Sequence, residues 1–285
     1  MSEARQKVSA KQVRRELLPN QSVELLKTLH LLTRDGDLNA DARRKLKQVN
    51  HLVGLLTPGL DEAFAANASP VIADVGSGNS YLGFVLYELF LKDRPGGELL
   101  SVESRPDLTQ RSIERANTLG FSRMRFEQGA IAEAQYPTKL DVVTALHACD
   151  TATDDAIIVA IQHQADHIAL VPCCQAEVAQ QLKDAKSKES ALGTLFEHPW
   201  HRREFGSHLT NVIRALVLES FGYQVTVTEL AGWEHSLKNE LILARKVQKN
   251  TRVPREKLEA LLSSTGVRPK VVRVLNSSSD PKLSW

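Results

Sequence analysis

The chain has 285 residues, enough for one α/β domain of ordinary size with additional elements at its ends. Apolar residues make up 42%, so a sizeable core can be buried, and no run approaches the length of a membrane-spanning helix. Net charge is only +2, which excludes neither an acidic nor a basic partner, and the three cysteines are too few for a disulfide framework.

The N-terminus is charged rather than apolar, so no secretory leader is predicted. Free thiols fit a reducing compartment, and a cytoplasmic location is expected. The charge is unevenly placed: +5 over residues 1–60, +7 over residues 245–285, and −10 between them. Basic ends around an acidic middle can hold a polyanion. They can equally be solvated faces that keep the ends in water.

Residues 1–66 read as a basic helical extension. Ser22–Thr33 sets Val23, Leu26, Leu29 and Leu32 at helical spacing, and Asp35-Gly36-Asp37 breaks the pattern. A second helix is expected from about Asp41, ending before Pro58-Gly59. From residue 67 to 248 short apolar runs alternate with helical segments. Strands are predicted at Val71–Val75, Glu98–Glu103, Arg123–Gln128, Asp141–His147 and His167–Pro172. Helices are predicted at Tyr81–Leu91, Pro106–Leu119 and Thr153–Gln164, with more helix up to about Phe221. Two consecutive strands, Tyr223–Leu230 and Glu240–Arg245, close the pattern. Alternation of this kind implies a Rossmann-like, seven-stranded, mostly parallel sheet with helices on both faces. Residues 249–285 read as a basic helix, Arg255–Leu262, then Val271–Leu275 and a serine-rich end expected to be mobile.

The strongest local signal is Asp74-Val-Gly76-Ser77-Gly78-Asn-Ser-Tyr81, directly after the first strand and opening a helix. Gly76 and Gly78 let the backbone turn tightly beside a ligand, and the helix amides beyond favour an anionic group. A dinucleotide fingerprint would carry a third glycine where Tyr81 stands. Glu103, at the end of the second strand and 25 residues past Gly78, is placed to accept two ribose hydroxyls. Position alone does not separate S-adenosylmethionine (SAM) from NAD. Gly129 and Ala130 follow the third strand, and His147 the fourth. Cys173 and Cys174 follow the fifth. Three readings of that pair stay open: buried apolar thiols, a metal site with His147 or His235, and groups in the acceptor pocket. Zinc sites prefer CxxC-type spacing, which is missing, so no metal is expected. Glu234, His235, Lys238 and Asn239 precede the last strand, where His235 could act as a general base and Asn239 orient the acceptor. Arg43, Arg44, Lys45 and Lys47 form a basic helical stretch suited to phosphates. A solvated face has the same composition.

Asp74–Leu82, Leu146–Asp154, Val171–Gln175 and Glu234–Asn239 together resemble a family of bacterial class I SAM-dependent methyltransferases. That family is similar to the eukaryotic methyltransferase-like proteins with an rRNA adenine dimethylase domain and, more distantly, to tRNA 2′-O-methyltransferases. The resemblance implies SAM as cofactor and RNA, tRNA or rRNA, as partner. It implies catalytic roles for Cys173, Cys174, Glu234, His235 and Asn239, and cofactor contacts by Asp74, Gly76, Ser77, Gly78, Tyr81, Glu103, Gly129, Ala130 and His147. Arg43, Arg44, Lys45, Lys47 and Lys238 would meet the substrate. Ala130 departs from the acidic residue usual there, and Ala176 stands where histidine is common. A small-molecule acceptor, a SAM-binding RNA factor without catalysis, and an NAD-dependent oxidoreductase are the competing functions.

Overall fold

A computed structural model describes residues 17–32, 40–146, 148–172, 175–184, 191–230, 240–247 and 251–283. The alternating apolar runs become a seven-stranded sheet: β1 (Val71–Val75), β2 (Glu98–Glu103), β3 (Met124–Gln128), β4 (Val142–Leu146), β5 (His167–Val171), β6 (Tyr223–Glu229) and β7 (Glu240–Lys246). Their order is β3-β2-β1-β4-β5-β7-β6. The first five strands are parallel, and β7 runs antiparallel to both β5 and β6. β1, β4 and β5 are buried along nearly their whole length because helices cover both faces.

The helices are α1 (Val23–Thr28), α2 (Ala40–Ala66), α3 (Tyr81–Leu86), α4 (Pro106–Leu119), α5 (Thr151–Gln162), α6 (Ala176–Asp184), α7 (Pro199–Ser220), α8 (Arg252–Thr265) and α9 (Lys270–Ser277). Among the boundaries that differ from the sequence expectation are the ends of the first two helices. α1 stops at Thr28, because His30 turns into the left-handed region at φ 55°. Leu29, Leu31 and Leu32 are nonetheless buried. α2 does not end before Pro58 but continues to Ala66. Pro58 and Gly54, whose carbonyl loses its partner to the proline, both lie on the exposed face, so water can satisfy that oxygen. On the other face Leu52, Val53, Leu56, Leu60 and Ala63 are buried, and that burial outweighs the missing bond.

The C-terminal segment is helical and packed. Leu258, Leu262, Val271, Val272, Leu275 and Leu283 are buried in the same core as Ala73, Val143 and Leu170 of the sheet. The described part of the serine-rich end is therefore held by Leu283. Beneath it lies a buried ion pair, Arg214 Nε to Asp154 Oδ1 at 2.7 Å, with both side chains 1% exposed. Because β1 to β5 run parallel, their following loops share one edge of the sheet. The strand order reverses between β1 and β4, which opens a crevice at that edge.

Candidate functional site: a crevice over β1, β2 and β4

The turn after β1 is built by two glycines at positive φ, Gly76 at 64° and Gly78 at 58°. A Cβ on Gly78 would meet no protein atom within 4 Å. It would stand in open space, and Gly78 lines the crevice. The turn is pinned from below. Ser77 N donates to the Val102 carbonyl at 3.0 Å, and the Ser101 hydroxyl donates to Ser77 Oγ at 2.8 Å. Ser80 Oγ lies 2.6 Å from Ser101 Oγ.

Glu103 reaches back across this turn. Its Oε2 accepts the Gly78 amide at 2.7 Å and its Oε1 the Arg105 amide at 3.0 Å. Oε1 also receives Ser104 Oγ and Arg105 Nε, each at 3.4 Å, whereas Oε2 keeps acceptor capacity for a hydroxyl. Its main-chain carbonyl accepts the Gly129 amide at 3.1 Å, which ties the loop after β3 to the same site.

Asp74 is 1% exposed at the back of the crevice. Its Oδ1 accepts the Thr144 hydroxyl at 3.0 Å, and its Oδ2 makes no well-aligned hydrogen bond among the described residues, the Gly83 amide being a donor close to this carboxyl. Burial pushes this carboxyl up to about 7, against the partial relief that Thr144 and the nearby Gly83 amide provide. A carboxylate in that state is stabilised by a cation placed in the crevice.

Asp74, Gly76, Ser77, Gly78, Tyr81, Glu103, Gly129 and Ala130 all line one cavity of about 560 Å³. The sequence reading thus brought eight of its nine cofactor residues to one place; the ninth, His147, lies outside the described residues. It did not single out Asp155, Cys149 or Ile131, which line the same cavity. Asp155 closes the polar stretch Leu146–Asp155, and its place near the start of α5 was the available signal. Ile131 carried none.

Cys173, Cys174, Glu234, His235, Lys238 and Asn239 lie outside the described residues, but the ground around the cysteines is well defined. Asp150, held at φ 49°, caps α6: its Oδ1 accepts the Ala176 and Glu177 amides at 3.0 and 3.2 Å. Arg214 Nη2 donates to the Asp150 carbonyl at 2.6 Å. Gln175 is buried, with its Oε1 accepting the Ser207 hydroxyl at 2.6 Å. The loops after β4 and β5 are thereby tied to α7. On α2, Arg44 and Lys47 are exposed and Arg43 is partly buried; the side chain of Lys45 is outside the described set.

Residues 44–181 match the family model described as a methyltransferase domain. The matched residues run from α2 into α6 and so include the crevice. The chain is 28% identical over 232 residues to the human glutathione S-transferase C-terminal domain-containing protein, covering 74% of this chain. It spans 34% of that relative's length. Among solved structures it is similar to magnesium protoporphyrin IX methyltransferase from Synechocystis with bound SAH. There the TM-score is 0.45 with 16% identity, over 78% of this chain and 94% of that one. An SAH-bound methyltransferase from Podospora anserina aligns with TM-score 0.44 and 12% identity, over 80% of this chain and 88% of that one.

The cavity would suit a ligand such as SAM on three counts. Its volume falls in the range of cofactor sites, Gly78 leaves open space in its lining where a Cβ would stand, and the buried Asp74 carboxyl is stabilised by positive charge. Among the described lining residues three carboxylates, Asp74, Glu103 and Asp155, stand with one cation, Arg105. That balance favours a sulfonium-bearing ligand over an anionic dinucleotide. No helix among the described residues is long and apolar enough to cross a membrane.

Proposed function

We propose that this chain methylates RNA, tRNA or rRNA, using SAM bound in the β1–β4 crevice. When bound, SAM supplies a methyl group made electrophilic by its sulfonium. The chain's share is to bind, align and exclude water. Glu103 would receive the ribose hydroxyls, the Gly76–Gly78 turn would let the ligand approach the backbone, and Asp74 would balance its positive charge.

One observation carries the RNA reading. Trp200 is 56% exposed at the start of α7, and the Arg203 guanidinium lies 4.3 Å from its ring centroid. His198 and His201 make an edge contact beside them at 5.6 Å. An exposed indole backed by a guanidinium is a surface on which a nucleic-acid base stacks. α7 precedes β6, which runs parallel to β5, so the helix starts on the side of the sheet's carboxyl edge. Ser207, two turns on, holds Gln175 next to the cysteine pair. The exposed cations Arg44 and Lys47 on α2 add phosphate-binding capacity. The basic C-terminal segment adds less than its charge suggests. Arg252, Lys270 and Arg273 are paired with Glu256, Asp155 and Glu177.

The acceptor side of the site belongs to the same proposal. Cys173 and Cys174 after β5, with Glu234, His235, Lys238 and Asn239 before β7, would shape the acceptor pocket, His235 taking the proton. The test is transfer of radiolabelled methyl from SAM to total RNA from a strain lacking the protein, followed by nucleoside mass spectrometry. One modified nucleoside regained by the wild type is expected. Label that stays with small molecules, or no transfer to RNA, would overturn the RNA acceptor.

A further inference from the structure

The C-terminal helix α9 is held by more bonds than docking requires. Val271, Val272 and Leu275 bury its apolar face. The Val271 amide donates to Asp154 Oδ2 at 3.1 Å, the Lys270 amide to Glu177 Oε2 at 2.9 Å, and Arg273 Nη1 to Glu177 Oε1 at 2.6 Å. These already fix the helix on α5 and α6. The Lys270 ammonium is used separately, lying 2.7 Å from both oxygens of Asp155. Asp155 is 13% exposed, and it lines the cofactor cavity on an otherwise apolar wall with Ile131, Leu146, Ala148 and Ala152.

A carboxylate on such a wall is costly unless it is paired. Lys270 pairs it from α9, and a doubly gripped carboxylate has lost its rotational freedom. Both its oxygens keep lone pairs that can still accept a hydrogen bond. Glu103 already stands at the end of β2 for hydroxyls, and the Tyr136 hydroxyl is committed to the Ile131 carbonyl at 2.9 Å. Asp155 is therefore the carboxylate left to receive an N–H donor of a cofactor.

We propose that Asp155 is a cofactor-binding carboxylate and that Lys270 is its positioning residue, which makes the C-terminal helix α9 part of the cofactor site. This inference rests on the reading of the cavity as a SAM site. It predicts that cofactor affinity depends on a residue 115 positions away in the sequence, beyond the matched methyltransferase domain.

The experiment is calorimetric titration of the full chain with SAM, beside urea denaturation of the same variants without ligand. Asp155→Asn should weaken SAM binding about tenfold, as expected for loss of a charged acceptor. Lys270→Met should weaken it about three- to tenfold, and Lys270→Arg, which keeps a cation, should stay within about twofold. The double variant should bind no more weakly than Asp155→Asn alone, because Lys270 acts through Asp155. A Lys270→Met chain that loses stability but binds SAM like the wild type, or binds it more tightly, would reduce the pair to a docking contact. Additive losses in the double variant would break the link between the two residues. A wild type that binds no SAM would instead overturn the cavity assignment on which the inference stands.

Discussion

Asp74→Asn gives the sharpest physical test of the crevice before any ligand is added. Burial raises the Asp74 carboxyl from 3.8 to about 7, so the folded protein prefers its protonated form. The stabilisation linked to this group is fully present below the unfolded value. It is lost as pH rises through the folded one. A shift of that size corresponds to about 4 kcal/mol between pH 4 and pH 8. Asparagine is nearly isosteric and does not titrate. The difference in unfolding free energy between wild type and Asp74→Asn should therefore move by up to about 4 kcal/mol over that window, in favour of the variant as pH rises. Urea denaturation at half-unit pH steps, with both proteins run in parallel, measures it. Subtracting the variant removes the other carboxylates. SAM should reverse the trend, since a bound cation favours ionised Asp74: affinity for the wild type should rise through pH 6–8, and that of the variant should not. Parallel stability profiles for the two proteins would refute the reasoning, because they would mean that Asp74 is ionised alike in the folded and unfolded chain.

Three further outcomes are expected. Arg214→Met should destabilise the chain by about 3–5 kcal/mol by stranding buried Asp154, and adding Asp154→Asn should restore part of it; chemical denaturation decides both. Trp200→Ala should weaken single-stranded RNA binding by about 1–3 kcal/mol in a filter assay while leaving SAM affinity unchanged. Changing Arg43, Arg44, Lys45 and Lys47 together to glutamine should weaken all RNAs alike. It should also flatten the salt dependence, by about 0.7 in log–log slope for each phosphate that is no longer neutralised.

Much of the fold was legible because its signals are local. Four buried parallel strands, β1, β2, β4 and β5, read as apolar runs, and two glycines before a helix mark the turn beside the crevice. Asp74 stood out by its place two residues before Gly76, and Glu103 by its place at the end of the next strand, and both line the same cavity. What the sequence hid is long-range. α2 runs through Pro58 because a distant sheet buries its other face, and no local rule carries that information. Lys270 looked like part of a free basic end, yet it meets Asp155. Arg214 gave no sign that it would be buried, since its partner lies sixty residues upstream. Asp155 was visible in a polar stretch, but only the closing of α5 over the crevice turns it towards the cavity.

The central claim is that Glu103 and the Gly76–Gly78 turn form a SAM site. Calorimetric titration of wild type and Glu103→Ala with SAM, and of the wild type with NAD, addresses it most directly. The account predicts measurable SAM binding by the wild type, a loss of roughly tenfold or more in the variant, and no competing NAD binding. Equal SAM affinity in the two proteins, or tight NAD binding by the wild type, would contradict it.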